Sequence, residues 1–517
     1  MNAGGALLAN DMGTGKTIST YAVLRMLNDM HTTIGGVLPA LVISPNGVKQ
    51  HWAKRTPTWF PDATPYIVPN TGPVKRKQLL NEARDDSNAI VFCNIEAMRL
   101  LSRLAPYGSI ALARCRECDP KHGDPALKTS RCEVHRKEFN GFGFRTVVID
   151  EAHRVRNATS KSTRAVWSVC HDPSVERRIA LTGTSIAQHV GDLWSVMHAI
   201  APLDYPVKSK WMDRVALFAW DAMGGMEVVG VRPDRRDEFF SVLDPRYRRM
   251  PIDVVLPQLP PFVREVREVE LPAAQLRMYN DIKKKLTTRT ESGELFIVPN
   301  QLTKSVRLQQ LAASSVEIEK PDEDDILTWK VTLKEPSPKL DELMAVLEEL
   351  GDEPCAIGSE HLQLINLAAA RLDKADIRYG LIAGPVSTFD RERALDDLGT
   401  GRIRVLLFTL AAGGEGIDMS AVSVLIRLQR SWQLIPNIQS ERRIRRIGSE
   451  KHNVLRVIDI ITAGTVEVDQ IERLNEKLQR LEEVNRDRET RRAAGMTTEE
   501  LDQEEMHIMS SRLDVDK

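Results

Sequence analysis

The chain has 517 residues, 42% hydrophobic and 28% charged, the balance of a globular protein long enough for several cores. With 71 Lys and Arg against 72 Asp and Glu, the formal charge of −1 argues against coating nucleic acid through bulk charge. No apolar run is long enough to span a bilayer, and the opening MNAGGALLANDMG lacks the basic start and long apolar stretch of a secretory signal.

In chain order, the first predicted strand is Gly5–Ala9, and a glycine loop follows it at once: Asp11-Met12-Gly13-Thr14-Gly15-Lys16-Thr17. A helical pattern begins at Ile18, so strand, loop and helix stand in the order a phosphate-binding loop needs. Gly13, Thr14 and Gly15 are expected to bring backbone N–H groups against phosphates, Lys16 to reach the β- and γ-phosphates of ATP, and Thr17 to hold Mg²⁺. Asn10 stands where the strict pattern has its first glycine.

Further short runs, Ala40–Ser44, Ala89–Cys93, Thr146–Asp150 and Arg178–Thr182, are apolar without alternation. Strands covered on both faces read this way, so a parallel sheet with crossover helices is predicted. Before the third of these lie Cys115, Cys118, Cys132 and His135, two close ligand pairs separated by a basic stretch. Six cysteines in a chain without a secretory signal suit a reducing cytoplasm, where grouped cysteines are read as metal ligands before disulfides. Four such ligands suggest a closed, structural Zn²⁺ site, with His122 as a substitute ligand, and a knuckle able to contact DNA or a protein partner. Val147-Val148-Ile149 then ends in Asp150-Glu151-Ala152-His153. Phosphoryl transfer to water needs one group on the metal and one to orient the water, and Asp150 and Glu151 suit these tasks in that order.

Pro257, Pro260 and Pro261 mark a stiff linker, and residues 314–338, with PDEDD and EPSP, read as a surface insertion or mobile loop. A second strand series follows: Cys355–Gly358, Arg378–Ile382, Val405–Thr409, Ser423–Arg427 and Asn453–Ile460. Ile471, Leu474, Leu478 and Leu481 recur at helical spacing in a charged tail that offers a second surface for a protein partner. The expected fold is α/β: two parallel-sheet lobes with a zinc insertion in the first and a helical tail. The divisions are a nucleotide-binding lobe at 1–255 with the insertion at about 112–138, a junction at 256–336, a second lobe at 337–470 and the tail at 471–517.

Asp-Glu-Ala-His followed by Arg154-Val155-Arg156-Asn157 resembles superfamily-two helicases with two RecA-like lobes, specifically the Swi/Snf-type DNA translocases. The resemblance extends through Leu41–Pro45 with Trp52, Leu181–Ser185 with Asp192-Leu193-Trp194, and Arg248-Arg249 with Asp253-Val254 and Leu259-Pro260-Pro261. It continues through Ala412–Asp418, Trp432 with Pro436-Asn437, and Gln439–Gly448. It implies an ATP-driven motor on duplex DNA, gripping the backbone without sequence preference. It implies that Gln439, Arg443 and Arg446 complete the catalytic set after lobe closure, that Gly416 and Asp418 join the nucleotide site, and that Thr182, Gly183, Thr184 and Gly414 couple nucleotide state to grip. Arg443 and Arg446, three apart, are expected to share a helix face.

Such proteins carry a glutamine-bearing, adenine-reading segment upstream of the phosphate loop, which here begins within a dozen residues of Met1. That segment is therefore expected to be absent, and the first strand to present an unpaired edge. A nonhydrolysing scaffold that retains the motor fold, and an RNA helicase, are the competing readings. The lean lobes suggest a bacterial or phage-infected host cytoplasm.

Overall fold

The computed structural model describes residues 4–30, 36–70, 72–102, 116, 120–121, 138–183, 190–220, 226–243, 245–285, 287–289, 295–298, 301–319, 329–413, 417–476 and 478–479. These form two compact units that divide between Val255 and Leu256.

In the first unit, strands β1 (Gly4–Leu8), β2 (Ala40–Ser44), β3 (Thr64–Ile67), β4 (Ala89–Asn94), β5 (Thr146–Ile149), β6 (Arg177–Leu181) and β7 (Tyr247–Arg248) make one sheet in the order β3-β4-β2-β5-β6-β1-β7. Every pairing is parallel. Alternate residues of one strand enter opposite cores. Val147 and Ile149 pack with Leu41 and Val91, while Val148 packs with Val42, Phe92 and Leu181. Burial of both faces is why these strands appear as unbroken apolar runs. β3 was not legible because Thr64-Pro65-Tyr66-Ile67 is half-exposed and carries a proline, a composition confined to sheet edges.

The expected open edge at β1 is covered. Leu7, Ala9 and Asp11 donate backbone N–H groups to the carbonyls of Arg246, Arg248 and Met250 at 2.7, 2.7 and 3.2 Å. A strap more than two hundred residues downstream thus supplies the partner that the sequence reading expected to be missing.

In the second unit, β8 (Phe262–Val269), β9 (Cys355–Ser359), β10 (Tyr379–Ile382), β11 (Val405–Thr409), β12 (Val424–Arg427) and β13 (Leu455–Thr462) form a second parallel sheet, ordered β8-β13-β12-β9-β11-β10. β8 begins directly after Pro261, so the stretch read as linker becomes an edge strand paired with β13 over eight residues. The flanks of the acidic insertion are also ordered: Ser315–Glu319 pairs antiparallel with Lys330–Lys334. The PDEDD run between them lies outside the described residues. The tail is helical over 466–476, with Leu474 buried, and Leu481 lies outside the described residues. Among the described residues, no helix is long and apolar enough to cross a membrane.

Candidate functional site

Helix α1 (Lys16–Asp29) follows β1 through the glycine loop, and helix α2 (Asn46–Trp59) follows β2 through Pro45. β2, β5, β6 and β1 are consecutive in the sheet, so the loops leaving their carboxyl ends form one crevice rim, where open parallel sheets bind ligands. Gly13 and Gly15 take φ of 85° and 81°, a left-handed geometry that side chains resist, and this turns the loop back on itself. Asn10 is not among the described residues with positive φ, so its place in the loop needs no glycine.

The Lys16 ammonium folds onto its own loop, donating to the carbonyls of Asn10 and Asp11 at 3.0 Å each. Thr14 Oγ1 donates to Asp11 O at 2.7 Å. Gly183, after β6, approaches so closely that a Cβ there would stand 2.2 Å from Met12 Cγ and 3.2 Å from Lys16 Nζ. Thr182 N donates to Leu8 O at 3.0 Å, so the third-motif residues Thr182 and Gly183 sit beside the phosphate loop. Thr17 is half-buried in the first turn of α1.

Asp150 ends β5, buried, with each carboxylate oxygen engaged by one N–H. Trp52 Nε1 donates to Oδ2 at 2.8 Å, and the backbone N of Glu151 donates to Oδ1 at 2.9 Å. Burial, and next the negative charge of Glu151, push the Asp150 carboxyl up to about 6; the Trp52 bond and the Lys16 charge oppose them. Glu151 is held at φ 49°, ψ 53°, a left-handed conformation unusual for a side-chain-bearing residue. Its Oε2 lies 3.2 Å from His153 Nδ1. Arg156 Nε, past the acidic box, lies 3.9 Å from Asp192 Oδ2 of the third motif, in helix α3 (Val190–Ile200).

Asp11 links the loop to the strap. Its Oδ2 accepts from Ile252 N at 3.1 Å, and its Oδ1 lies 3.4 Å from Arg249 Nη2. Nothing in the local spacing signals this contact, since 238 residues separate Asp11 from Arg249.

In the second unit, helix α4 (Leu434–Ile444) carries Gln439 and Arg443, both mostly buried. The helix ends at Ile444, so Arg446 does not share its face with Arg443 as expected. The chain turns away where Arg445 Nε donates to Pro260 O at 2.9 Å and the guanidinium lies 5.6 Å from the Phe262 ring centroid. The fifth and sixth motifs nonetheless meet. Arg446 donates to Ile417 O at 3.1 Å and lies 3.5 Å from Asp418 Oδ2, and Met419 N donates to Arg443 O at 3.1 Å.

Glu441, two residues before Arg443 on the same helix, was not singled out from sequence. It accepts both terminal nitrogens of Arg264 at 2.7 Å and Arg427 Nη1 at 2.8 Å. Arg427 in turn grips Asp459 at 2.6 and 2.9 Å. Burial raises the Glu441 pKa, but the Arg264 bond and the Arg427 charge outweigh it and hold the carboxyl below its usual range. The network ties α4 to β8, β12 and β13.

The first-unit rim fits a nucleoside triphosphate with its cation: Asn10 Oδ1 is buried without a partner, and the Lys16 ammonium reaches the carbonyls of its own loop. Among the described residues there is no cluster of three or more metal-binding side chains. Cys115, Cys118, Cys132, His135 and His122 lie outside the described residues, as do Thr184, Gly414 and Gly416.

A parallel sheet with a glycine loop after β1 and a buried aspartate after β5, one strand apart, defines a nucleotide-binding α/β protein. The chain belongs to the SNF2-related family: the SNF2-related domain matches residues 1–335, and the helicase conserved C-terminal domain matches residues 338–448. It is 24% identical to chromodomain-helicase-DNA-binding protein 1 of Gallus gallus over 91% of this chain and 25% of that protein. It is likewise 24% identical to the putative ATP-dependent helicase/translocase YwqA of Bacillus subtilis, over 90% of this chain and 44% of that protein. The chain thus spans between a quarter and a half of these relatives. Among solved structures, the Sulfolobus solfataricus SWI2/SNF2 ATPase core in complex with dsDNA aligns with 90% of this chain and 86% of that one, at 19% identity and a TM-score of 0.34.

Proposed function

We propose that the protein hydrolyses ATP to ADP and phosphate and uses the cycle to move along duplex DNA. The observation that carries this reading is the convergence of Lys16, Gly183, Asp150 and Glu151 at one rim of the first sheet. In this reading the glycine loop cradles the phosphates, and Lys16 exchanges its carbonyl partners for phosphate oxygens. Thr17 and Asp150 hold Mg²⁺, which when bound offsets charge on the phosphate oxygens. Glu151 orients the attacking water, with His153 Nδ1 3.2 Å from its Oε2. Arg443 and Arg446 meet the charge that spreads over the transferring phosphoryl group, with Gln439 as a further polar group of the same motif. Gly416 and Asp418 complete the nucleotide site, and Thr182, Thr184 and Gly414 couple it to the grip on DNA.

Membership of the SNF2-related family supports the DNA part of the reading, because the Gallus gallus relative carries DNA binding in its name and the Bacillus subtilis relative is named a putative helicase/translocase. The test is phosphate release with and without duplex DNA against a Lys16→Ala control. Duplex RNA that stimulates as well as DNA does would favour the RNA reading instead.

Cys115, Cys118, Cys132 and His135 are proposed as ligands of one structural Zn²⁺, on the strength of their paired spacing. Elemental analysis of the purified protein should find about one equivalent of zinc. A content near zero would rule the site out.

A further inference from the structure

Trp52 faces the metal-binding rim in a way that its place in the sequence does not explain. It lies on α2, fully buried, and its indole nitrogen reaches Asp150 Oδ2 at 2.8 Å across 98 residues of chain. An indole N–H can only donate, so this bond fixes Oδ2 as an acceptor and sets the plane of the carboxyl group. The other oxygen already accepts from Glu151 N, so the carboxylate is held at both ends and cannot rotate freely.

The indole is itself braced. Tyr21 on α1 donates its hydroxyl to Trp52 O at 2.8 Å, and the two rings lie 5.2 Å apart at 53°. Thr56 Oγ1 lies 2.8 Å from the same hydroxyl. One turn earlier on α2, buried Lys49 donates to Val68 O at 3.0 Å and to Asn70 Oδ1 at 2.7 Å, fixing the helix against the sheet. The helix that opens at Lys16 and the carboxylate that ends β5 are therefore joined through one aromatic pair.

We infer that Trp52 is a positioning residue for the catalytic cation: its N–H fixes the orientation of the Asp150 carboxylate, and Tyr21 holds the indole in register with the phosphate-loop helix. This rests on the Mg²⁺–ATP reading of the rim. Removing the donor should weaken the cation without weakening the nucleotide itself, a split that general loosening of the core would not produce.

The test is Mn²⁺ binding to the ADP complex of the full chain, followed by electron paramagnetic resonance, beside ADP affinity measured in EDTA. Trp52→Phe keeps an aromatic ring and deletes the donor. The Mn²⁺ dissociation constant should rise about tenfold, as expected for loss of a group beside a metal ligand, with ADP affinity in EDTA changed less than twofold. The Mg²⁺ concentration for half-maximal phosphate release should rise by the same factor. Trp167→Phe, which deletes an indole bond to Ser195 O away from the rim, should leave all three values unchanged. Wild-type Mn²⁺ affinity in Trp52→Phe, or an equal loss of ADP affinity in EDTA, would overturn the inference. A wild-type protein that binds no ADP would overturn the nucleotide reading itself, and this inference with it.

Discussion

At the scale of single residues, Asp150 links the chemistry to stability. Burial and the neighbouring Glu151 charge raise its pKa from 3.8 to about 6 in the fold. A raised acid pKa means that the folded state holds the proton more tightly than the unfolded chain does, so stability falls as pH rises between about 4 and 6 and stays lower above that window. In EDTA, the first unit should lose on the order of 1–3 kcal/mol across the window, read from urea unfolding at a series of pH values. Asp150→Asn should remove this component, and Mg²⁺ with ADP should flatten it in the wild type, because the cation favours the charged form. A wild-type slope that persists unchanged in Asp150→Asn would contradict the assignment. A carboxylate destabilised in the empty protein is poised to gain on taking up a cation.

At the scale of elements, the sixth-motif helix α4 is held by charge rather than by propensity, with Glu441 clamped by Arg264 from β8 and Arg427 from β12. Arg427 is 1% exposed, so removing a counter-charge leaves a guanidinium with less compensation in a dry interior. Glu441→Ala should cost the second unit about 3 kcal/mol, measured from its own urea transition, and phosphate release should fall as Arg443 and Arg446 lose their mounting. A loss below about 0.5 kcal/mol, typical of an exposed pair, would show that the network is solvated. The strap across β1 is a similar long-range element: Arg246–Met250 closes the sheet edge, and Asp11 ties its end to the phosphate loop.

At the scale of the whole molecule, what was legible in the sequence was what repeats locally. Buried strands appear as apolar runs, and Lys16, Asp150 and Glu151 sit where strands end. What was not legible depends on partners far apart in the chain. Trp52 gives no hint of Asp150, Glu441 gives none of Arg264, and Phe262–Val269 follows two prolines that read as linker. Arg446 was placed on a helix by spacing alone, whereas contacts of Arg445 with Pro260 and Phe262 end that helix first. A near-neutral chain argued against bulk coating of DNA, and a motor that must release its track each cycle is compatible with that balance. We propose above all that this protein is a DNA-stimulated ATPase. Its most direct test is the rate of phosphate release from ATP and Mg²⁺, measured without nucleic acid and with saturating duplex DNA. Duplex DNA should stimulate the rate about tenfold or more, and Lys16→Ala should lower it by about 10²-fold or more under both conditions. A wild-type rate no higher than that of Lys16→Ala, with duplex DNA present, would contradict it.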